Sequence, residues 1–204
     1  MSSDRPHRFW HRRGYLPHFD AGAVIQTITF RLGDSLPREL YAALTMAAKS
    51  EAERRARLEA MIDQGRGTCL LAQTSHACVV QSALEHFDGQ RYRLVAWVVM
   101  PNHVHVAIEQ VEGYRLGDIV HSWKSFTANR INGCRKSAEA VWAPDYFDRC
   151  IRDEAHFARA VSYIENNPVK AGLVGCPQDW MFSSATARMP SPPCAQDARG
   201  PRDI

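Results

Sequence analysis

The run RYRLVAWVVMPNHVHVAIEQV, residues 91–111, decides the reading of this chain. It holds two apolar, β-branched stretches parted by Pro101 and Asn102, a pair of turn formers, and so reads as two adjacent central strands. His103 and His105 sit inside the second stretch. Side chains two apart on a strand share a face, so both imidazoles can converge on one divalent cation. Two histidines near a strand end can equally face solvent or bond locally.

Upstream, residues 23–32 (AVIQTITFRL) alternate and are rich in β-branched types, which predicts another strand ended by Gly33 and Asp34. Residues 37–62 open on a proline suited to a helix start and carry apolar residues at helical spacing around a charged middle, as one long helix or two. A second amphipathic helix is expected at 75–87, with Val79, Val80, Ala83, Leu84 and Phe87 on one stripe. Downstream, 116–131 places Ile119, Val120, Trp123, Phe126 and Ile131 on one helical face, and 141–151 reads as a short strand. Asp153 is placed to cap a last helix that should stop near Pro168, with Gly172 beyond it. The order approximates βαββαβ. We therefore expect an α+β domain of the ferredoxin-like, split βαβ kind, its sheet covered on one face, with an extra helical elaboration before the second strand.

The chain has 204 residues, 45% hydrophobic and 23% charged, enough for one sizeable core. Its mean hydropathy is −0.35 and it has no apolar run of about 18 residues, so neither a membrane span nor a membrane partner is expected. The first residues lack the apolar stretch of a secretory signal, which points to a cytoplasmic protein. Six dispersed cysteines without a C-x-x-C pair read as reduced thiols. A net charge of +3 does not by itself call for nucleic acid. Its distribution is more informative, because residues 1–20 hold Arg5, Arg8, Arg12 and Arg13 among aromatic rings, a composition suited to phosphates and unstacked bases or simply to a solvated terminus. The expected layout is a basic arm at 1–20, a domain at 21–188 and a disordered tail at 189–204.

Tyr163 and Asn167 lie four apart in the last helical stretch and so share a face. A tyrosine hydroxyl can attack a phosphodiester when a metal neutralises the phosphate charge. The spacing alone is equally met by a packing tyrosine and an asparagine cap. Of the six tyrosines, only Tyr163 pairs with a polar ligand type at helical spacing.

Taken together, MPNHVHVAIE (100–109), HSWKSFTANRIN (121–132), VW (141–142), IRDE (151–154) and YIENNPVKAGLV (163–174) resemble the REP-associated tyrosine transposases, within the single-tyrosine HUH transposases of the insertion-sequence-200 type. The resemblance implies that His103 and His105 are metal ligands, Tyr163 the nucleophile and Asn167 the polar residue completing the metal site. It implies magnesium or manganese as cofactor. It also implies single-stranded hairpin DNA as partner, cut beside an imperfect palindrome with a 5′-phosphotyrosine link and a free 3′ hydroxyl. Lys124 and Arg130 correspond to basic positions on the middle helix that would contact the DNA backbone, as Arg12 and Arg13 of the arm would. Arg152 touches phosphate or pairs with Asp153 and Glu154. The chain departs from the family pattern in its helical segment between Pro37 and Phe87, and in Ala143 where a glutamine commonly follows the tryptophan.

Two further readings stand beside this one. A domesticated protein could keep the fold and bind hairpin DNA or RNA without a cleavage role. A zinc hydrolase would need a third strong ligand, and no further His, Cys or carboxylate falls at suggestive spacing. Monomer and homodimer are both compatible with the sequence.

Overall fold

A computed structural model describes residues 10–13, 16–19, 24–47 and 50–187. At the N-terminal end a two-stranded antiparallel hairpin joins β1 (Trp10–Arg13) to β2 (Leu16–Phe19). The main sheet is built from β3 (Ile25–Arg31), β4 (Tyr92–Val99), β5 (His103–Gln110) and β6 (Phe147–Cys150). Its order is β4-β5-β3-β6, with every neighbouring pair antiparallel. That is the split βαβ arrangement expected from the sequence.

Between β3 and β4 run α1 (Arg38–Ala47), α2 (Glu51–Ile62) and α3 (Thr74–Glu85). The segment after Pro37 is thus two helices. Ser50 starts the second, its hydroxyl accepting the Glu53 N–H at 3.1 Å. Leu36, Leu58, Ile62 and Phe147 form a small core that seats this helix pair against β6. Beyond β5 come α4 (Leu116–Arg135), then β6, α5 (Glu154–Glu165), the one-turn α6 (Asn167–Lys170) and α7 (Ser184–Ala187).

The alternation within the strands divides the sheet into two chemically distinct faces. Ile28 and Phe30 of β3, Val104, Val106 and Ile108 of β5, and Trp97 and Val99 of β4 pack with α3 and α4 in the main core. The opposite face carries Ala96, Val98 and Ala107, over which Ile164, Val161 and Tyr163 of α5 lie. The expectation of a sheet covered on one face is therefore corrected: apolar residues line both faces, and α5 closes the second.

Trp123, expected on the buried stripe of α4, donates its indole N–H to the Tyr92 hydroxyl at 2.9 Å. Phe126, expected beside it, is half exposed, and Thr127 is buried in its place, accepting the Trp142 indole N–H at 2.9 Å. The expected strand at 141–151 is shorter than its apolar pattern, because only Phe147–Cys150 joins the ladder while Trp142 makes an isolated bridge to Leu32. Cys69, Cys134, Cys150 and Cys176 are free thiols as expected; Cys78, in contrast, is disulfide-bonded. Among the described residues no helix is long and apolar enough to cross a membrane. The tail at 189–204 lies outside the described residues.

Candidate metal and nucleophile centre

The tight turn at Pro101 and Asn102 delivers His103 and His105 to the α5 face of β5, where both are buried. Their Nε2 atoms stand 3.1 Å apart. Asn102, itself 1% exposed, fixes the first ring. Its amide nitrogen donates to the Ile62 and Arg66 carbonyls at 3.0 and 3.1 Å, which leaves Oδ1 to accept from His103 Nδ1 at 2.7 Å. A carbonyl oxygen can only accept, so the His103 proton is on Nδ1 and the Nε2 lone pair points at His105. The Thr29 hydroxyl lies 2.7 Å from His105 Nδ1 across the β3–β5 pair and can donate or accept there. Burial, reinforced by the neighbouring His105 and Lys170, holds His103 well below the usual histidine range. Burial brings His105 down to about 4, with Asp63 opposing and Lys170 assisting. Both rings are neutral at pH 7, the state that ligates metals.

A carboxylate joins them that sequence spacing did not reveal. Asp63 follows α2 as its C-cap, and its ligand atom lies with those of His103 and His105 within 4.8 Å of one another. Oδ1 stands 3.7 Å from His103 Nε2, too far for a hydrogen bond, and has no hydrogen-bond partner among the described residues; Oδ2 is held by Lys170 Nζ at 2.7 Å. The donor set fits a divalent cation. Two imidazole nitrogens bonded to one ion at ~2.0–2.1 Å are about 3 Å apart when they subtend an angle near 90°. No carboxylate falls at suggestive spacing in the sequence, yet the fold supplies one. Asp63 reaches the pair through tertiary packing of the inserted helix, forty positions upstream.

Tyr163 and Asn167 were expected on one continuous helix. Instead α5 ends at Glu165, Asn166 turns out of helical geometry, and Pro168 sits in the first turn of α6 with Asn167. The two side chains still converge. Tyr163 meets His105 edge to face at 5.3 Å between ring centres, and Lys170 Nζ is 5.2 Å from the Tyr163 ring centre. The Tyr163 hydroxyl and both amide atoms of Asn167 are buried without a full hydrogen bond among the described residues. Burial first, then the Glu59 and Asp63 carboxylates, push the phenol far above its ordinary range, while the nearby Asn167 amide works weakly the other way. Buried polar atoms of this kind are suited to binding an ion or a polar ligand.

Lys124 and Arg130 are not brought to this centre; they ride on α4, whose core packing is on the other face of the sheet. Arg130 is exposed. Lys124 donates to the Ala143 and Pro144 carbonyls at 2.7 and 2.9 Å, and burial lowers it to about 8 against the pull of Asp145. It pins the segment before β6. Arg12 and Arg13 fall on β1, and their side chains lie outside the described residues.

The family model described as Transposase IS200 like matches residues 71–167, just under half of the chain, a span that includes His103, His105, Tyr163 and Asn167. A REP-associated tyrosine transposase of Escherichia coli (strain K12) is 31% identical over 93 residues, 46% of this chain and 54% of that protein. A Haemophilus influenzae protein provisionally named a REP-associated tyrosine transposase is 28% identical over 111 residues, 49% of this chain and 61% of its own length. The chain thus spans little more than half the length of these curated relatives. A solved structure of a REP-associated tyrosine transposase bound to a REP hairpin superposes with a TM-score of 0.54 at 20% identity, covering 100% of this chain and 99% of that one. At that identity the likeness is one of fold. The resemblance to REP-associated tyrosine transposases read from the sequence is borne out.

Proposed function

We propose that the protein cleaves and rejoins single-stranded DNA beside hairpin stems, as a metal-dependent transposase using Tyr163 as nucleophile. The observation that carries this reading is the packing of Tyr163 against His105, whose Nε2 faces that of His103 at 3.1 Å. A nucleophile and a cation-ready donor set share one small site. His103, His105 and Asp63 would hold magnesium or manganese with the Asn167 amide oxygen, and the ion would supply charge neutralisation for the attacked phosphate.

The chain's own residues do the rest. Asn102 presents the His103 lone pair, and Thr29 can take the His105 Nδ1 proton's hydrogen bond, freeing both Nε2 atoms toward the site. Lys170 holds Asp63 Oδ2 and lies near the Tyr163 ring, which leaves Oδ1 as the oxygen that would face a cation and keeps a positive charge beside the tyrosine. The Tyr163 oxygen forms a bond to phosphorus while the bond from phosphorus to O3′ breaks. This leaves a 5′-phosphotyrosine and a free 3′ hydroxyl. The partner is single-stranded hairpin DNA. A stacked duplex holds its backbone at fixed curvature and presents the in-line phosphate poorly, whereas a flexible single strand can be drawn in. The setting is the cytoplasm, on the nucleoid.

One observation favours binding without cleavage: burial and two carboxylates keep the phenol protonated, as a domesticated hairpin-binding protein would tolerate. A labelled hairpin with a single-stranded foot and manganese decides between the two. The proposal expects a denaturation-resistant adduct with the natural protein and none with Tyr163→Phe. Hairpin binding with no adduct in either would establish the binding reading.

A further inference from the structure

Two residues of the centre lie outside the stretch that the family model matches: Asp63, at the end of α2, and Lys170, on α6. They meet across 107 positions of chain, with Lys170 Nζ donating to Asp63 Oδ2 at 2.7 Å.

Each is anchored at its backbone. The Asp63 N–H closes α2 on the Glu59 carbonyl at 2.9 Å, and Asn102 holds the Ile62 and Arg66 carbonyls on either side of it. The Lys170 N–H donates to the Asn166 carbonyl at 2.9 Å. Two residues on, the chain turns away at Gly172, whose φ of +70° is a left-handed conformation that side chains resist, and the Leu173 N–H returns to the Pro168 carbonyl at 2.9 Å. Backbone anchoring leaves the Asp63 side-chain torsions free. A contact to the carboxylate itself fixes which oxygen faces the histidines, and Lys170 makes that contact. With Oδ2 engaged, Oδ1 stands 3.7 Å from His103 Nε2 and has no hydrogen-bond partner among the described residues. The ammonium is restrained in turn, since Nζ lies 5.2 Å from the Tyr163 ring centre.

Stability does not account for the pair. The Lys170 side chain is 56% exposed against 11% for Asp63, and an ion pair with one partner in solvent contributes little to folding. The same exposure weakens repulsion between the ammonium and an ion at the histidines, because water and salt screen it. Orientation of the ligand is the effect that remains.

We propose that Lys170 is a positioning residue of the metal centre, holding the Asp63 carboxylate so that Oδ1 is presented to the ion beside His103 and His105. The inference rests on the proposed metal site and adds what keeps its third ligand in place. Lys170 acts through Asp63.

The test adds manganese to the full chain and counts the free ion by its paramagnetic resonance signal, which also reads weak binding. The proteins are the natural chain, Lys170→Met, Lys170→Arg, Asp63→Asn and the double variant Asp63→Asn/Lys170→Met, with folding of each checked by thermal melting. Lys170→Met should weaken manganese binding about 10–100-fold, the usual cost of removing a ligand's hydrogen-bond partner. Lys170→Arg, which can still donate to Oδ2, should recover most of that loss. With Asp63→Asn no carboxylate is left to orient, so adding Lys170→Met should cost less than about twofold more, as for two residues acting as one unit. A Lys170→Met chain that binds manganese as well as the natural chain, or better, overturns the inference alone, as does an equal loss in the natural and Asp63→Asn backgrounds. A natural chain that binds no manganese overturns the metal reading itself and the inference with it.

Discussion

Replacing Asn102 with alanine should damage the centre in two separable ways. The side chain is 1% exposed and makes three contacts: two donated bonds to the Ile62 and Arg66 carbonyls, which tie the end of α2 to the sheet, and one accepted from His103 Nδ1. Removing it strands a buried ring N–H and loosens two carbonyls, at about 1 kcal/mol per bond and somewhat more for the orphaned donor, so a loss of roughly 2–4 kcal/mol is expected. In a domain of this size that lowers Tm by roughly 5–12 °C. Freed of its acceptor, His103 also loses its preference for the Nδ1 tautomer, and losing a partner of this kind weakens metal binding about 10–100-fold. Asn102→Asp separates the effects. It keeps the acceptor for His103 but can no longer donate to the two carbonyls, so it should destabilise like the alanine variant while retaining most of the metal affinity. Calorimetric titration with manganese, paired with thermal melts, reads both. Manganese affinity of Asn102→Ala within about twofold of the natural chain would refute the role given to the tautomer.

Tyr163→Phe should stay folded within about 1 kcal/mol, because the ring that packs on His105 is kept and only a hydroxyl without a full hydrogen bond is lost, as a thermal melt would show. His103→Ala and His105→Ala should each abolish metal-dependent cleavage while hairpin binding falls less; cleavage that survives chelation would remove the metal from the reaction. Stability should fall with acid, because His105 titrates near 4 in the folded chain and near 6.5 unfolded, so below 6.5 the unfolded state binds more protons. The loss runs through the window from about 6.5 down to about 4, reaches about 3 kcal/mol for this ring, and is measurable by denaturant titration across pH. Replacing Arg5, Arg8, Arg12 and Arg13 should weaken DNA binding and flatten its salt dependence; an unchanged slope would make the N-terminal arm a bystander.

The sequence made the central pieces legible because they are local. The strand pair at 91–111 announces itself by apolar runs around Pro101-Asn102, and strand alternation alone puts His103 and His105 on one face. Tyr163 and Asn167 were found by spacing, yet the chain reaches the same juxtaposition through a break at Asn166 and a new turn, which a four-residue period does not distinguish from one helix. What local pattern could not supply was everything fixed by tertiary packing. Asp63 reaches the histidines because Leu58 and Ile62 seat α2 on the sheet, and nothing in its own neighbourhood marks it as a ligand. The reach of Lys124 to the Ala143 and Pro144 carbonyls is likewise set by packing and not by local pattern. The small residues Ala96 and Ala107 gave no sign that they leave room for α5 on a second face of the sheet.

The central claim is that Tyr163 attacks DNA within a metal site. The most direct measurement digests the product of a footed hairpin, manganese and the natural protein, and locates the nucleotide by mass spectrometry. The account predicts a phosphodiester-linked nucleotide on the peptide containing Tyr163, dependent on manganese and absent when His103 is replaced. A nucleotide on any other residue, or on Tyr163 without the metal, would contradict it.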